Sequence, residues 1–299
     1  MDDLEKKEPT LWQIVFAFAV LYIVWGSTYI AIKFAIHTIP PFMMGGIRFI
    51  IAGGLVYIVG MILGHKHPQL IHWRSAAIVG FLLLALGNGG VLIATHHIPS
   101  GVVSLMVAMT PVYMSLFADL GKRLPTTSTI IGLILGTIGV ACLIGPDGFK
   151  GNVSWIGLVA VSVASLSWSA GSIYSRHAPL AATTTMSIAS QMICGGVAMA
   201  AISLCLGEHN QFDPSLISAK SIWSTIYLIL FGSLAGYSAY FWLLKNVSPS
   251  KVATYAYVNP IVAVFLGWML AGEPVTPNIF LAGTIIVAAV WFITKSAKK

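Results

Sequence analysis

Ten runs of almost unbroken apolar residues divide the chain, at 11–32, 42–63, 75–95, 101–120, 127–144, 154–174, 184–206, 222–244, 252–271 and 278–294. Each approaches the roughly 20 residues that a helix needs to cross the hydrocarbon core of a bilayer. Polar positions gather in short connections between them, the longest being 207–221, so no separate soluble domain fits and the chain is read as one structural unit. The expected fold is an all-α membrane protein of ten transmembrane helices. Trp12, Trp73, Trp155, Trp223 and Trp291 fall at or beside the ends of the runs, where an indole can keep its ring apolar and its N–H wet. The first run follows a segment of mixed charge and shows no small-residue cleavage site, which reads as a spanning helix rather than a signal peptide.

The pattern repeats. At an offset of 143 residues Trp25 matches Trp168, Lys33 matches Arg176, Met43 matches Met186, Arg48 matches Gln191 and Gly53 matches Gly196. Six residues are then gained, and at an offset of 149 Gly87 matches Gly236, His96 matches Lys245, Pro111 matches Pro260 and Pro125 matches Pro274. Residues 1–150 and 151–299 are therefore expected to be two five-helix repeats. Five is odd, so the second repeat enters the membrane from the opposite face. Inverted halves of this kind are a construction of secondary transporters.

Composition agrees: 57% of the 299 residues are hydrophobic and 8% charged, too few polar side chains to cover a water-soluble globule. The net charge of +7 sits in short loops and at the C-terminus, without the interleaved aromatic residues of a nucleic-acid surface, so it reads as topology rather than nucleic-acid binding. With the N-terminus in the cytoplasm, twelve Lys and Arg residues fall on the cytoplasmic side and only Lys33, Lys150 and Lys220 on the other, with Arg48 inside a span. That bias places both termini in the cytoplasm. Cys142, Cys194 and Cys205 lie in apolar runs, without disulfide or metal-ligand spacing, and are expected to be packing residues. His65, His67 and His72 are too loosely grouped for a metal site, as are His96 and His97, and no cofactor motif such as a phosphate-binding loop is present.

Polar and aromatic residues inside the spans are the candidates for solute contact. Arg48, about seven residues into the second span, is costly facing lipid and should face the bundle interior, where it either receives a substrate carboxylate or bonds backbone carbonyls. All nine acidic residues lie in loops, tails or helix ends, so none is placed to pair with it deeply or to switch protonation during a cycle. Asn88 and Asn259 are either interhelical glue, worth about 0.6 to 2 kcal/mol each, or cavity contacts. Trp25 and Tyr29 lie one turn apart, Trp168 is the repeat mate of Trp25, and Tyr237, Tyr240, Tyr255 and Tyr257 cluster in the eighth and ninth spans. Hydroxyls at mid-depth need partners, so some of these rings are expected to line a wet cavity. Pro111 and Pro260, about ten residues into the fourth and ninth spans, are candidate hinges or ordinary kinks.

The tryptophan in the first helix of each half, "GGIRFIIAGG", "ATYAYVNPIVAVFLGWMLAGEPVT" and "GLILGTIGVACLIG" together resemble the ten-helix EamA-domain permeases of the drug/metabolite transporter superfamily. The resemblance covers nearly the whole chain. It implies an inner-membrane carrier, often an exporter of amino acids or other metabolites, with helices of both halves around a central cavity and the fifth and tenth helices peripheral. One departure concerns Glu273 in "AGEP": the first half reads "GKRLP" at the matching place, so the frequent acid after helix four is missing there. That favours a loop or helix-cap role for Glu273 near the outer surface. The expected function is alternating-access transport, outward, of an amino acid or related compound. A proton-coupled multidrug cation exporter is the alternative, and a lipid-active enzyme lacks its clustered His and carboxylate groups. The expected partners are a small-molecule substrate and the bilayer, and the expected assembly is a monomer or weak homodimer.

Overall fold

A computed structural model describes residues 9–119, 127–147, 154–247, 252 and 255–296, and every regular element among them is helical. The helices are α1 (Leu11–Ala35), α2 (Pro41–Ile62), α3 (Leu70–His97), α4 (Ser100–Val107), α5 (Thr110–Asp119), α6 (Thr127–Asp147), α7 (Trp155–Ser175) and α8 (Thr184–Cys205). They continue with α9, made of Ala219–Tyr227, Leu228–Ala235 and Gly236–Asn246, then α10 (Tyr255–Ala271) and α11 (Pro277–Ser296). Among the described residues six helices are long and apolar enough to cross a membrane, with shorter apolar helices at Ser100–Met114, Ile130–Gly139, Val258–Ala271 and Pro277–Ala289. The single fourth run of the sequence is broken at Ala108 and Met109 into α4 and α5. Pro111 sits just inside the start of α5, where its missing N–H costs nothing, instead of kinking a continuous helix.

Large apolar side chains ring the outside of the bundle. Ile23, Ile58, Ile62, Val159, Leu204, Phe265 and Trp268 are exposed, as are Trp12, Trp155, Trp223 and Trp291 near helix ends. A hydrocarbon solvent satisfies such a surface and water does not. Inside, Met44, Phe49, Leu84, Leu92, Met192 and Met199 are sealed between α2, α3 and α8. Of the cysteines, Cys142 and Cys194 are half-buried, but Cys205 is exposed at the end of α8 and does not pack, a correction to the sequence expectation.

The helices matched at the offset of 143 run antiparallel along their length. A Cβ on Gly46 would lie 3.1 Å from the Ala200 nitrogen, one on Gly53 2.9 Å from the Ile193 nitrogen, and one on Gly60 3.0 Å from the Met186 methyl. As residue numbers rise on α2 they fall on α8. The backbones approach so closely because glycine faces the crossing, the means by which helices associate where no hydrophobic effect drives them together. α3 and α7 are antiparallel by the same test: Gly171 faces Leu83, Gly90 faces Ala164, and Gly157 faces His97. Arg74 and Arg176 therefore lie at one end of the bundle. Lys33 and Lys220 lie at the other, where Thr38 after α1 bonds Ser221 at the start of α9 (2.8 Å) and the Lys220 ammonium sits 3.4 Å over the Phe34 ring.

Capping differs among the helices. Ser154, Thr183 and Ser218 cap α7, α8 and α9 locally, each accepting from a backbone N–H three residues on. α2 and α4 begin after Pro40 and Pro99, which offer no capping oxygen. Their first amides are satisfied from far along the chain. Glu208, just past α8, accepts from the nitrogens of Phe42 (3.1 Å) and Met43 (2.8 Å), and Glu273, just past α10, accepts from those of Ser100 (3.0 Å) and Gly101 (3.3 Å). Both carboxylates are buried at the Lys33 end, and each serves a helix dipole as well as orphan donors.

Candidate substrate cavity

Three helices carry stretches with the wider π-helical turn: Val20–Val24 in α1, Phe81–Asn88 in α3 and Leu228–Ala235 in α9. Widening a turn displaces the i→i−4 bonds and turns carbonyls toward neighbours, and such bulges concentrate at functional sites. Here the Gly232 carbonyl accepts the Trp25 indole N–H (3.2 Å) and the Leu82 carbonyl accepts the Ser167 hydroxyl (2.8 Å). The stretches in α3 and α9 line a central cavity of about 80 Å³ through Gly87, Asn88 and Gly232, and the stretch in α1 ends one residue before the wall residue Trp25.

Rings form much of its wall. Trp25 lies at their hub, with centroids 6.0 Å from Trp168, 6.0 Å from Tyr237, 5.1 Å from Tyr240 and 5.4 Å from Tyr255. Most of these contacts are edge-to-face, so ring edges carrying partial positive charge and ring faces carrying negative charge alternate around the space. Thr28, Tyr29 and Ile32 extend the wall along α1, Gly87, Asn88 and Val91 along α3, and Ser165 and Trp168 along α7. Val107 and Thr110 enter at the break between α4 and α5, so that discontinuity places irregular backbone against a cavity rather than lipid.

Arg48 is the charged residue of the wall. It is 4% exposed; its Nε donates to the Ser233 hydroxyl (2.8 Å) and its guanidinium carbon lies 4.6 Å over the Phe49 ring. No carboxylate lies within ion-pair distance of it among the described residues. Its repeat mate Gln191 is treated differently: the Gln191 amide donates to Ser187 one turn back on its own helix (2.9 Å) and stays out of the cavity wall. The Tyr237 and Ser165 hydroxyls of the wall are buried without a hydrogen-bond partner among the described residues. A second space of about 60 Å³ shares Tyr255 with the first and runs past Pro111, Ser172 and Tyr240 to Arg176.

Residues 11–145 and 155–295 each match the sequence model of the EamA-like transporter family. This chain belongs to that family. An Escherichia coli K12 protein described as an uncharacterized inner membrane transporter, YedA, is 38% identical over 279 residues, covering 93% of this chain and 89% of its own. A Bacillus subtilis 168 transporter, YvbV, is 28% identical and covers 94% of this chain and 91% of its own. A Salmonella typhimurium LT2 protein named a probable amino-acid metabolite efflux pump is 25% identical over 92% of each chain. A crystal structure 18% identical in sequence superposes with a TM-score of 0.65 over 97% of this chain and 99% of its own, so the fold is shared.

In this EamA-like chain the cavity gathers Trp25, Tyr29, Arg48, Asn88, Trp168, Tyr237 and Tyr255 from helices far apart in sequence. Asn88 bonds only weakly, to the Leu83 carbonyl at 3.4 Å, which leaves its amide directed by the cavity as much as by its helix. Asn259 is buried but stands off the wall, with its Oδ1 unpartnered among the described residues. The Tyr257 side chain lies outside the described residues. Pro111 borders the second space, whereas Pro260 borders an apolar groove with Ile261, Phe265 and Trp268 on the outside of the bundle. The matched prolines thus do not flank one path. Thr28, Ser165, Gly232 and Ser233 were not singled out as solute contacts, because a small hydroxyl or glycine in a span carries no mark of the face it occupies. Among the described residues no group of three His, Cys, Asp or Glu side chains could hold a metal ion.

Proposed function

We propose that the protein is a secondary carrier of the inner membrane that exports an amino acid or a related carboxylate-bearing metabolite. It works by alternating access of two inverted five-helix halves, 1–150 and 151–299, with ten membrane helices and both termini in the cytoplasm. The antiparallel run of the sequence-matched helices α2 and α8 supports the inversion. The efflux-pump name of the Salmonella relative supports the solute class and direction. Transport is the work of the family, and rings, an amide and a guanidinium in the wall suit the cradling of a solute.

The observation that carries the solute class is one buried guanidinium facing the cavity with no carboxylate beside it among the described residues. At about 5 Å and an effective dielectric near 20, a unit charge interacts with Arg48 by roughly 3 kcal/mol. That favours a carboxylate and opposes a lipophilic cation by a similar amount, which counts against proton-coupled cation export. A zwitterion fits with its carboxylate toward Arg48 and its ammonium on the Trp25 and Tyr255 rings, a contact worth about 0.5 to 2 kcal/mol.

Exchange in proteoliposomes tests the proposal with a panel of amino acids, their amides, the corresponding amines and lipophilic cations. Carboxylate-bearing solutes are expected to exchange and the cations are not. The opposite ranking would establish the cation exporter instead.

A further inference from the structure

We propose that Lys33 and Glu273 are the gate that shuts the cavity at the Lys33 end, so that the empty carrier presents its site toward the Arg176 end. This rests on the reading of the central cavity as the transport site. Lys33 is one residue beyond Ile32, the last wall residue of α1, and its ammonium lies 2.6 Å from Glu273 Oε1. The same carboxylate accepts from the Ser100 nitrogen (3.0 Å), the Ser100 hydroxyl (2.9 Å) and the Gly101 nitrogen (3.3 Å). One 6%-exposed side chain thereby draws together the ends of α1, α4 and α10, each continuous with a stretch that lines the cavity.

The arrangement switches between two states rather than yielding gradually. α4 has no cap of its own, so moving α10 away strips its first amides of an acceptor while Lys33 loses its counter-ion. Water must replace both sets of bonds together. The contact is close-fitting as well: a Cβ on Gly101 would lie 2.9 Å from a Val264 methyl, and one on Gly26 2.7 Å from Val262 Cβ, so α10 lies flush against α1 and α4.

Among the described residues the opposite end shows no ion pair of this kind. Arg176 matches Lys33 in the repeat, but the position matching Glu273 is Leu124 in the sequence, itself outside the described residues. The second space reaches from Tyr255 to Arg176, so there is room toward that end of the bundle. An ion-pair gate at one end only biases the unloaded protein toward the side without it.

Thiol labelling decides the matter. In a chain whose three cysteines are replaced by alanine, Thr28→Cys reports access to the cavity and Ser172→Cys reports access to the second space. A membrane-impermeant maleimide is applied to each face in turn. From the Lys33 face, Thr28→Cys should label slowly. Adding Lys33→Met, which leaves Glu273 to cap α4, should speed that labelling by about 10-fold or more, the loss of one charge-assisted contact. Lys33→Arg should restore slow labelling, and Glu273→Gln should speed it as Lys33→Met does if that variant folds poorly. Unchanged Thr28→Cys labelling in both Lys33→Met and Glu273→Gln, with Ser172→Cys still reactive from the opposite face, would overturn the gate and leave the transport cavity standing. Failure of both cysteines to label from either face would remove the cavity reading and the gate with it.

Discussion

A buried arginine next to a serine, a phenylalanine and a cavity poses a question that Gln191 helps to answer. Both residues sit at matched places in antiparallel helices, but Gln191 finds its partner on its own helix whereas Arg48 reaches across to α9. If the cross-helix bond to Ser233 were all that Arg48 supplied, a neutral amide would serve nearly as well. We therefore expect Arg48→Gln to remain folded, to weaken exchange of carboxylate-bearing solutes by about 10-fold or more, and to spare their amides and amines. Equal loss for all solutes together with a lower melting temperature would assign Arg48 to packing. Glu273 permits a second expectation. Burial pushes its carboxyl up, but the hydrogen bonds from Lys33 and Ser100 outweigh this and hold it below its ordinary value of 4.5. A depressed carboxylate stabilises the fold above that value and loses its contribution only as pH falls through the lowered one. Exchange should therefore show no step attributable to Glu273 between about pH 5.5 and 8; a step there that vanishes in Glu273→Gln would show that the carboxylate titrates during the cycle.

At the scale of elements, the ends of α2 and α4 show where sequence patterns run out. The apolar runs located the helices because lipid selects for length and hydropathy, and α2 and α4 begin just after Pro40 and Pro99. A local cap can be read from a Ser or Thr just ahead of a run, as at Ser154 and Thr183. A cap lent by Glu208 from 166 residues away cannot, because it depends on which helix ends share a face. The same limit hid the π-helical turns: Gly87 and Gly236 were visible as a repeat-matched pair, but nothing local distinguishes a widened turn from a regular one. Pro111 pointed to a disturbed preceding turn in the fourth run, but not to the full break that lies there at Ala108 and Met109. Glu208 gives the element-scale test. Glu208→Ala leaves two amides of a membrane helix without an acceptor at a cost of about 1 to 3 kcal/mol, and should lower the melting temperature in detergent while leaving solute preference unchanged. A shift in preference without a loss of stability would mean that Glu208 acts on the cavity and not only on α2.

At the scale of the whole molecule, matched residues in the two halves were legible because duplication leaves spacing behind, and the rings of the cavity wall with Asn88 followed from asking which side chains lipid would not tolerate. What spacing could not supply was asymmetry: Arg48 against Gln191, a broken fourth helix against a continuous ninth, and, among the described residues, an ion pair at one end alone. Such differences give a two-fold arrangement a direction, and that direction has meaning only once the membrane faces are assigned. Antiparallel packing puts Lys33 and Lys220 at one end and Arg74 and Arg176 at the other, and in the topology proposed from the excess of Lys and Arg in the loops the Arg74 end is the cytoplasmic one. Single cysteines in intact cells should bear this out, with Lys220→Cys reacting with an impermeant maleimide directly and Arg74→Cys only after permeabilisation. The reverse pattern would leave the antiparallel frame and the gate in place but turn the gate to the cytoplasm, so that the empty carrier would await solute from outside and the exporter reading would become an importer's.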